Sequence, residues 1–172
     1  METTIVSMET IPEPATGRRP VPIDRRSALE VHLGYWLRLV SNRVSGTFAR
    51  VLQERHVSVA EWVALNQIDR GKDVTPAELA DAMGMTRGAI SKVLDKLETK
   101  QWIARTISQG DGRVQLLSPT RPGRRVLPEL ATIADDNDSR FFGVLAADEQ
   151  TMLRKLLQKL VEVHRINNLP VD

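Results

Sequence analysis

Residues 75–125 constrain the fold of this chain more than any other part, because two short helical patterns meet there at a glycine turn. In the first pattern, Thr75 suits the N-cap, Pro76 suits the first helical position and Glu78 can complete a capping box. Gly84 then ends the pattern, since glycine accepts the backbone conformation that a tight turn needs. Two helices joined in this way predict a helix-turn-helix.

The second helix of the pair, which Thr86 can cap, has two different faces. At about 100° per residue, its apolar residues fall on one stripe. These are Ile90, Val93, Leu94 and Leu97. The opposite side is short, polar and cationic, and carries Gly88, Ser91, Lys92, Asp95 and Thr99. Such a division is typical of a helix that packs on a core and enters a DNA groove.

A hairpin pattern follows the second helix. Residues 102–107 predict a strand, residues 108–113 a glycine-rich turn, and residues 114–118 a return strand. Because proline cannot donate to a ladder, we expect the return strand to end by Ser118, before Pro119. A hairpin after a helix-turn-helix is a wing.

Positive charge is concentrated in this part of the chain. Between Thr75 and Arg125 there are nine Lys and Arg against five Asp and Glu, a net of +4, whereas the whole chain carries +2. Neutralising phosphates with such a segment releases counterions. The charge distribution therefore predicts binding to double-stranded DNA.

Taken together, these motifs resemble those of the MarR family of bacterial winged-helix regulators, over about residues 28–166. The matching residues are Leu79-Ala80-Asp81 with Met83-Gly84-Met85, the run from Ser91 to Glu98, Asp111-Gly112-Arg113 in the wing, and Thr120 with Gly123. The resemblance implies a mainly α fold with a small β-wing, made of a winged helix-turn-helix domain plus N- and C-terminal dimerisation helices. One departure is Gln101, which stands where the family commonly has glycine, so we expect that helix end to differ in detail.

The domain organisation follows from the remaining helical patterns. We expect a disordered, proline-containing tail over residues 1–24 and a single domain over residues 25–172. In that domain, residues 58–121 would form the winged helix-turn-helix, and residues 25–57 and 122–167 the dimerisation helices. The helical patterns cover residues 26–54, 58–69, 123–143 and 147–167. Wide apolar stripes on the first and last helices, with the resemblance, imply a homodimer, and the alternative is that they close a monomeric core.

Candidate DNA contacts lie on the second helix and the wing. Thr86 and Lys96 would meet phosphates, whereas Arg87, Ser91 and Lys92 would reach base edges and Gly88 would permit close approach. The resemblance implies that Arg113 enters the minor groove and that Asp111 helps to hold it. Arg105 belongs to a basic flank that contacts either the DNA backbone or water. A solvated surface charge is the stronger alternative for Lys96 and Lys100.

The resemblance also implies a small aromatic or anionic effector, bound between the dimerisation helices and the DNA-binding part; no other cofactor is expected. The first two helices carry side chains that suit an aromatic acid, although ordinary core packing is the alternative for each. These are His32, Tyr35, Trp36, Arg38 and Trp62.

Composition excludes several other classes of protein. The absence of cysteine excludes disulfides, zinc-thiolate sites and thiol redox sensing. With three histidines, no glycine-rich phosphate loop and no nucleophile motif, the chain is not expected to be an enzyme. No run approaches the roughly 20 apolar residues of a membrane span, and no export signal is visible, so we expect a cytoplasmic protein without membrane contact.

These patterns favour a sequence-specific transcriptional regulator, and the resemblance implies a ligand-responsive homodimeric repressor on a pseudo-palindromic operator. The alternative is a winged-helix protein-interaction module without DNA binding. Such a module would tend to show acidic or apolar residues where the second helix carries cationic and short ones.

Overall fold

The structure is a computed structural model that describes residues 28–108, 112, 114–169 and 171. A short 3-10 helix at Leu29–Val31 is followed by α1 (Leu33–Glu54), α2 (Val59–Arg70), α3 (Pro76–Ala82), α4 (Arg87–Thr99), β1 (Ile103–Ile107), β2 (Gln115–Pro119), α5 (Arg121–Phe142) and α6 (Ala147–Val163). The predicted mainly α fold with a small β-wing is therefore confirmed. The chain divides into two compact units after Leu37, within α1. The domain limits given above stay a prediction, and the tail at residues 1–24 lies outside the described residues.

The first helix begins later than its apolar pattern predicted. His32 has an extended backbone (φ −91°, ψ 123°), which separates the 3-10 helix from α1. Trp36 Nε1 donates to the carbonyl oxygen of Glu30 at 2.7 Å across this break. The prediction of a continuous helix from residue 26 is therefore wrong from Ala28 to His32, because a periodic apolar pattern does not reveal a break in the backbone.

Four of the helices begin with a side-chain cap. Ser58, Thr75, Thr86 and Thr120 each accept a hydrogen bond from the backbone N–H three residues later. Each cap satisfies one of the N–H groups that a helix start leaves without a partner. The cap at Thr120 also explains why α5 starts at Arg121, two residues before the predicted start.

The main core joins α2, α3, α4 and the wing. All four predicted apolar residues of α4 are buried, which confirms the division of that helix into two faces. They pack with buried side chains of α2, α3 and both strands, including Leu65, Ile68, Leu79, Met83, Ile103 and Leu117. Burying a side chain of this size contributes about 1.5–3 kcal/mol. A second, smaller cluster contains Leu52, Val57 and Leu130.

The two strands of the wing pair antiparallel, with Ile103 opposite Pro119. Our expectation that β2 would end by Ser118 is therefore wrong. Thr120 N–H donates to Trp102 O at 2.9 Å, and Leu117 N–H donates away from β1 to Val74 O at 2.8 Å. In this alternation Pro119 occupies a non-hydrogen-bonded position of the β1–β2 pair, so its missing N–H removes no bond from the ladder.

The end of α4 takes the conformation that glycine would favour. Gln101 has φ of 58°, in the left-handed region. Gln101 N–H donates to Glu98 O at 2.8 Å, and Trp102 N–H donates to Leu97 O at 2.9 Å. Glutamine at position 101 therefore adopts the same left-handed geometry that glycine would, but at a higher conformational cost.

The last helix, α6, buries none of its side chains in this chain. It ends at Val163, four residues before the predicted end, because Arg165 adopts a left-handed conformation (φ 51°). Its exposed apolar residues are Met152, Leu156, Leu157, Leu160, Val161 and Val163. On α6, then, the predicted stripe does not close a monomeric core. α1 also exposes Trp36, Leu37, Leu39 and Val40.

Candidate nucleic-acid interface

The start of α4 is exposed, and its cap, Thr86, keeps a hydroxyl hydrogen that can be donated to DNA. The turn before it contains Gly84 at φ 61°. Thr86 Oγ1 accepts the N–H of Ala89 at 3.2 Å, so the hydroxyl hydrogen remains available to donate to a phosphate oxygen. Thr86 and Arg87 are both exposed. The N–H groups at this helix start attract anions.

The outward face of α4 holds the residues that the sequence assigned to DNA. Gly88, Ser91, Lys92 and Lys96 are exposed, on the side opposite the buried stripe. A Cβ added at Gly88 would meet nothing within 4 Å. Packing within the described chain therefore does not require a glycine here, whereas close approach of a partner surface to the helix would.

The electrostatics of this face favour an anionic partner. Arg87, Lys92 and Lys96 form no salt bridge with other residues that the structure describes. The two acidic side chains of α4, Asp95 and Glu98, instead both pair with Arg105, which offsets one of their two negative charges. The outward face keeps its positive charge while its carboxylates are paired toward the wing.

Arg105 thus has a role that the sequence did not indicate. From β1 it reaches Asp95 Oδ1 at 2.5 Å and Glu98 Oε2 at 3.0 Å, and its side chain is 23% exposed. It joins the wing to α4. A contact of Arg105 with DNA remains a prediction, but this guanidinium is already engaged by two carboxylates.

The expectation of a solvated Lys100 is wrong. Lys100 Nζ donates to Glu61 Oε1 at 2.6 Å and to the carbonyl oxygen of His56 at 2.7 Å, and it lies 5.0 Å from the ring centroid of Trp102. Burial of the Glu61 carboxyl opposes its ionisation, but the hydrogen bond from Lys100 and those from Ser58 outweigh it and hold the pKa of Glu61 below its usual value. The capping box identified Glu61 but gave no sign of its partner 39 residues away.

The wing tip can be described only in part. Asp111 and Arg113 lie outside the described residues, so their predicted minor-groove role stays a prediction. Val114 and Gln115, at the end of the wing strands nearest the tip, line one side of a cavity of about 520 Å³. Thr75, Arg87, Ser91 and Arg105 line the other side. The tip-side end of the wing and the N-terminal part of α4 therefore share one concave surface.

Among the residues considered for an effector, Trp62 is half-buried and packs edge-on against Phe48, with ring centroids 5.1 Å apart. Both line a cavity of about 300 Å³ between α1, α2 and α5, together with Val44, Ser45, Ala134, Asp135, Asn137 and Asp138. Asp135 and Asp138 are carboxylates, and this lining contains no Lys or Arg among the described residues. The cavity suits an aromatic group better than an anionic one.

In the ranges that the structure describes, no group of three or more His, Asp or Glu side chains is arranged to hold a metal ion. No helix within those ranges is long and apolar enough to cross a membrane.

The fold and the exposed face of α4 define a winged helix-turn-helix protein. Residues 57–114 match the family model described as MarR family. An HTH-type transcriptional regulator of Bacillus cereus is 32% identical over 146 residues, which cover 80% of this chain and 93% of that protein. An HTH-type transcriptional repressor of Mycobacterium tuberculosis is 28% identical, over 74% of this chain and 92% of that protein. The chain belongs to the MarR family of transcriptional regulators.

Solved structures agree with this assignment. A mutant MarR from E. coli, complexed with operator DNA, superposes with a TM-score of 0.65 and 26% identity, covering 75% of this chain and 93% of that one. CouR from Rhodococcus jostii, bound to p-coumaroyl-CoA, superposes with a TM-score of 0.66 and 25% identity, covering 77% and 94%.

Proposed function

We propose that this protein is a cytoplasmic homodimeric repressor that reads a pseudo-palindromic operator. The observation that carries the proposal is the outward face of α4, where Arg87, Gly88, Ser91 and Lys92 are exposed beside a buried apolar stripe. A family relative has been solved with operator DNA. This arrangement disfavours the alternative of a protein-interaction module, for which a cationic face with a sterically open glycine has no evident use.

In the proposed complex, α4 enters the major groove by its N-terminal end. Thr86 donates its hydroxyl to a phosphate, and Lys96 contacts the backbone further along the helix. Arg87, Ser91 and Lys92 face base edges, where an arginine placed for two hydrogen bonds selects guanine. Arg113, on the wing, would enter the adjacent minor groove, held by Asp111.

The dimer rests on the apolar residues of α6 and α1 that the single chain leaves exposed. Leu156, Leu157 and Leu160 are 53%, 38% and 48% exposed, and they lie on one side of α6. Burying an exposed leucine contributes up to about 1.5–3 kcal/mol, so pairing several of them across a two-fold axis favours a stable dimer. Two-fold symmetry in the protein would be matched by a pseudo-palindrome in the operator.

An effector would act by favouring a spacing of the two α4 helices that does not fit the operator. The cavity beside Trp62 lies between α1 and α5 on one side and α2, the first helix of the DNA-binding part, on the other. Its aromatic and acidic lining supports a small aromatic effector. If that effector is an anion, its charged group would lie away from the carboxylates of Asp135 and Asp138. A family relative is solved with p-coumaroyl-CoA, which contains an aromatic acyl group.

Selection from a random DNA pool tests the proposal. The protein would be incubated with random-sequence duplexes at about 50 mM and 200 mM salt, and the retained fraction sequenced. We expect a pseudo-palindrome to be enriched and retention to fall steeply at the higher salt concentration. Retention without an enriched site would contradict sequence reading, and no retention at either concentration would contradict DNA binding.

A further inference from the structure

The residues after α6 return to the turn of the helix-turn-helix. Leu169 N–H donates to the carbonyl oxygen of Ala82, the last residue of α3, at 3.0 Å. Leu169 and Val171 pack against the core of the winged helix. We name Asn168, Leu169 and Val171 the C-terminal strap.

The strap completes the cap at the end of α3. The last four carbonyl groups of a helix have no partner inside it. In α3, Leu79 O accepts from Met83 N–H, Ala80 O from Met85 N–H and Asp81 O from Gly84 N–H. Ala82 O is the remaining one, and its donor comes from Leu169, far along the chain.

The strap also contacts the turn itself. A Cβ added at Gly84 would lie 2.8 Å from Nδ2 and 3.1 Å from Cγ of Asn168, so this side chain lies directly over the glycine. Gly84 has φ of 61° and is followed two residues later by Thr86, the cap of α4. Any shift of the turn therefore changes where the DNA-facing residues of α4 begin.

The strap is attached to a helix that the proposed dimer would bury. α6 ends at Val163, and Ile166 N–H still donates to Val161 O at 3.0 Å. Two residues later the chain is already on the turn. Since so few residues separate α6 from the turn, they have little freedom to absorb a displacement of either element.

We propose that the C-terminal strap positions α4 for DNA binding, with Leu169 as the positioning residue that fixes the end of α3 and the turn. This inference rests on the proposed function as a DNA-binding regulator. On this proposal Asn168, Leu169 and Val171, which carry no DNA-binding motif, influence the DNA affinity of α4.

Substitution at Leu169 tests the strap. Leu169→Pro removes the N–H that caps Ala82, and Leu169→Ala removes most of the packing on the core. On the duplex that the wild-type protein enriches from a random pool, we expect both variants to bind about three- to tenfold more weakly, as the loss of one hydrogen bond or contact in a positioning element allows. Amide hydrogen exchange at Gly84 and Met85 should accelerate in both.

Two controls separate positioning from general stability. Asn167→Ala changes an exposed neighbour in the same segment and should bind as the wild type does. Val57→Ala weakens the second cluster, away from the turn, so it should lower the melting temperature without changing affinity at a temperature where the protein is folded. Wild-type affinity in both Leu169 variants would overturn the role of the strap, whereas failure of the wild type to bind any duplex would overturn the proposed function and the inference with it.

Discussion

Lys100, at the end of α4, and Glu61, in the first turn of α2, form an ion pair of 2.6 Å in which the carboxylate side chain is only 4% exposed. This pair fixes the two helices against each other behind the DNA-facing surface. Because the Glu61 carboxylate is buried, removing Lys100 would leave its negative charge without a compensating partner.

We expect Lys100→Met to lower the free energy of unfolding by about 2–4 kcal/mol, since it leaves the Glu61 carboxylate buried and unpaired. Arg50→Met is the matched control, because the Arg50–Glu54 pair has the same 2.6 Å distance but its side chains are 66% and 60% exposed. That substitution should cost no more than about 1 kcal/mol. Urea denaturation of both variants measures the difference, and equal losses would contradict the special role of the buried pair.

The same pair predicts a dependence of stability on acid. The pKa of Glu61 is held below its usual value in the folded chain, because hydrogen bonds from Lys100 and Ser58 outweigh the cost of burial. A group of this kind contributes stability above its unfolded pKa and loses it as pH falls through the folded pKa. In Glu61→Gln, the loss of stability below about pH 4.5 should be smaller than in the wild type. Thermal unfolding measured between pH 7 and pH 3 should show this, and parallel curves for the two proteins would contradict it.

Two glycines in helices should respond to alanine in opposite ways. A Cβ at Gly123 would lie 2.0 Å from the carbonyl oxygen of Trp102, so Gly123→Ala must move backbone and should cost about 2–3 kcal/mol of stability. A Cβ at Gly88 meets nothing, and alanine is the better helix former by about 0.5–1 kcal/mol, so Gly88→Ala should keep or raise stability while it weakens DNA binding. Paired thermal unfolding and DNA titrations test both statements, and unchanged DNA affinity in Gly88→Ala would show that α4 does not approach DNA at that residue.

Much of the fold could be predicted because its determinants are local, whereas the DNA contacts assigned to α4 and the wing stay predictions. Capping boxes at Ser58 and Thr75 and the apolar stripe of α4 each depend on residues within two turns of one another. The pairings of Lys100 with Glu61 and of Leu169 with Ala82 join residues far apart in the chain, and no spacing rule reports them. The predictions at His32 and Pro119 failed for another reason. The extended backbone of His32, and the position of Pro119 in a non-hydrogen-bonded pair of the ladder, depend on the neighbouring elements.

Gln101 gives a prediction about stability alone. Its left-handed backbone costs about 1–2 kcal/mol relative to glycine. Glycine, however, loses more conformational entropy on folding, which cancels part of the gain expected from the substitution. Gln101→Gly should therefore stabilise the protein by about 0.5–1 kcal/mol. Gln101→Ala keeps the strained conformation and should give no such gain. A chemical denaturation series including both variants tests this, and equal stability of the two would contradict a strained helix end.

The proposed dimer depends on the exposed leucines of α6. Leu160→Glu, at a residue 48% exposed in the single chain, should shift the protein toward monomer, because a charge would be buried in the dimer interface. Val144→Glu, at a residue 85% exposed between α5 and α6, is the control and should leave the dimer intact. Sedimentation equilibrium distinguishes the two variants. A Leu160→Glu protein that remains dimeric would place the interface elsewhere.

Footprinting on the selected duplex tests the central claim most directly. Hydroxyl-radical cleavage would be mapped with the wild-type protein and with Arg87→Ala, across a salt titration. We expect two protected half-sites about 10 base pairs apart, or a multiple of that spacing, with protection that weakens as salt rises. Arg87→Ala should bind more weakly and discriminate less between bases at one position of each half-site. A wild-type protein that protects no DNA at any salt concentration, or an Arg87→Ala variant with unchanged affinity and base preference, would contradict the account of α4 as the helix that reads DNA.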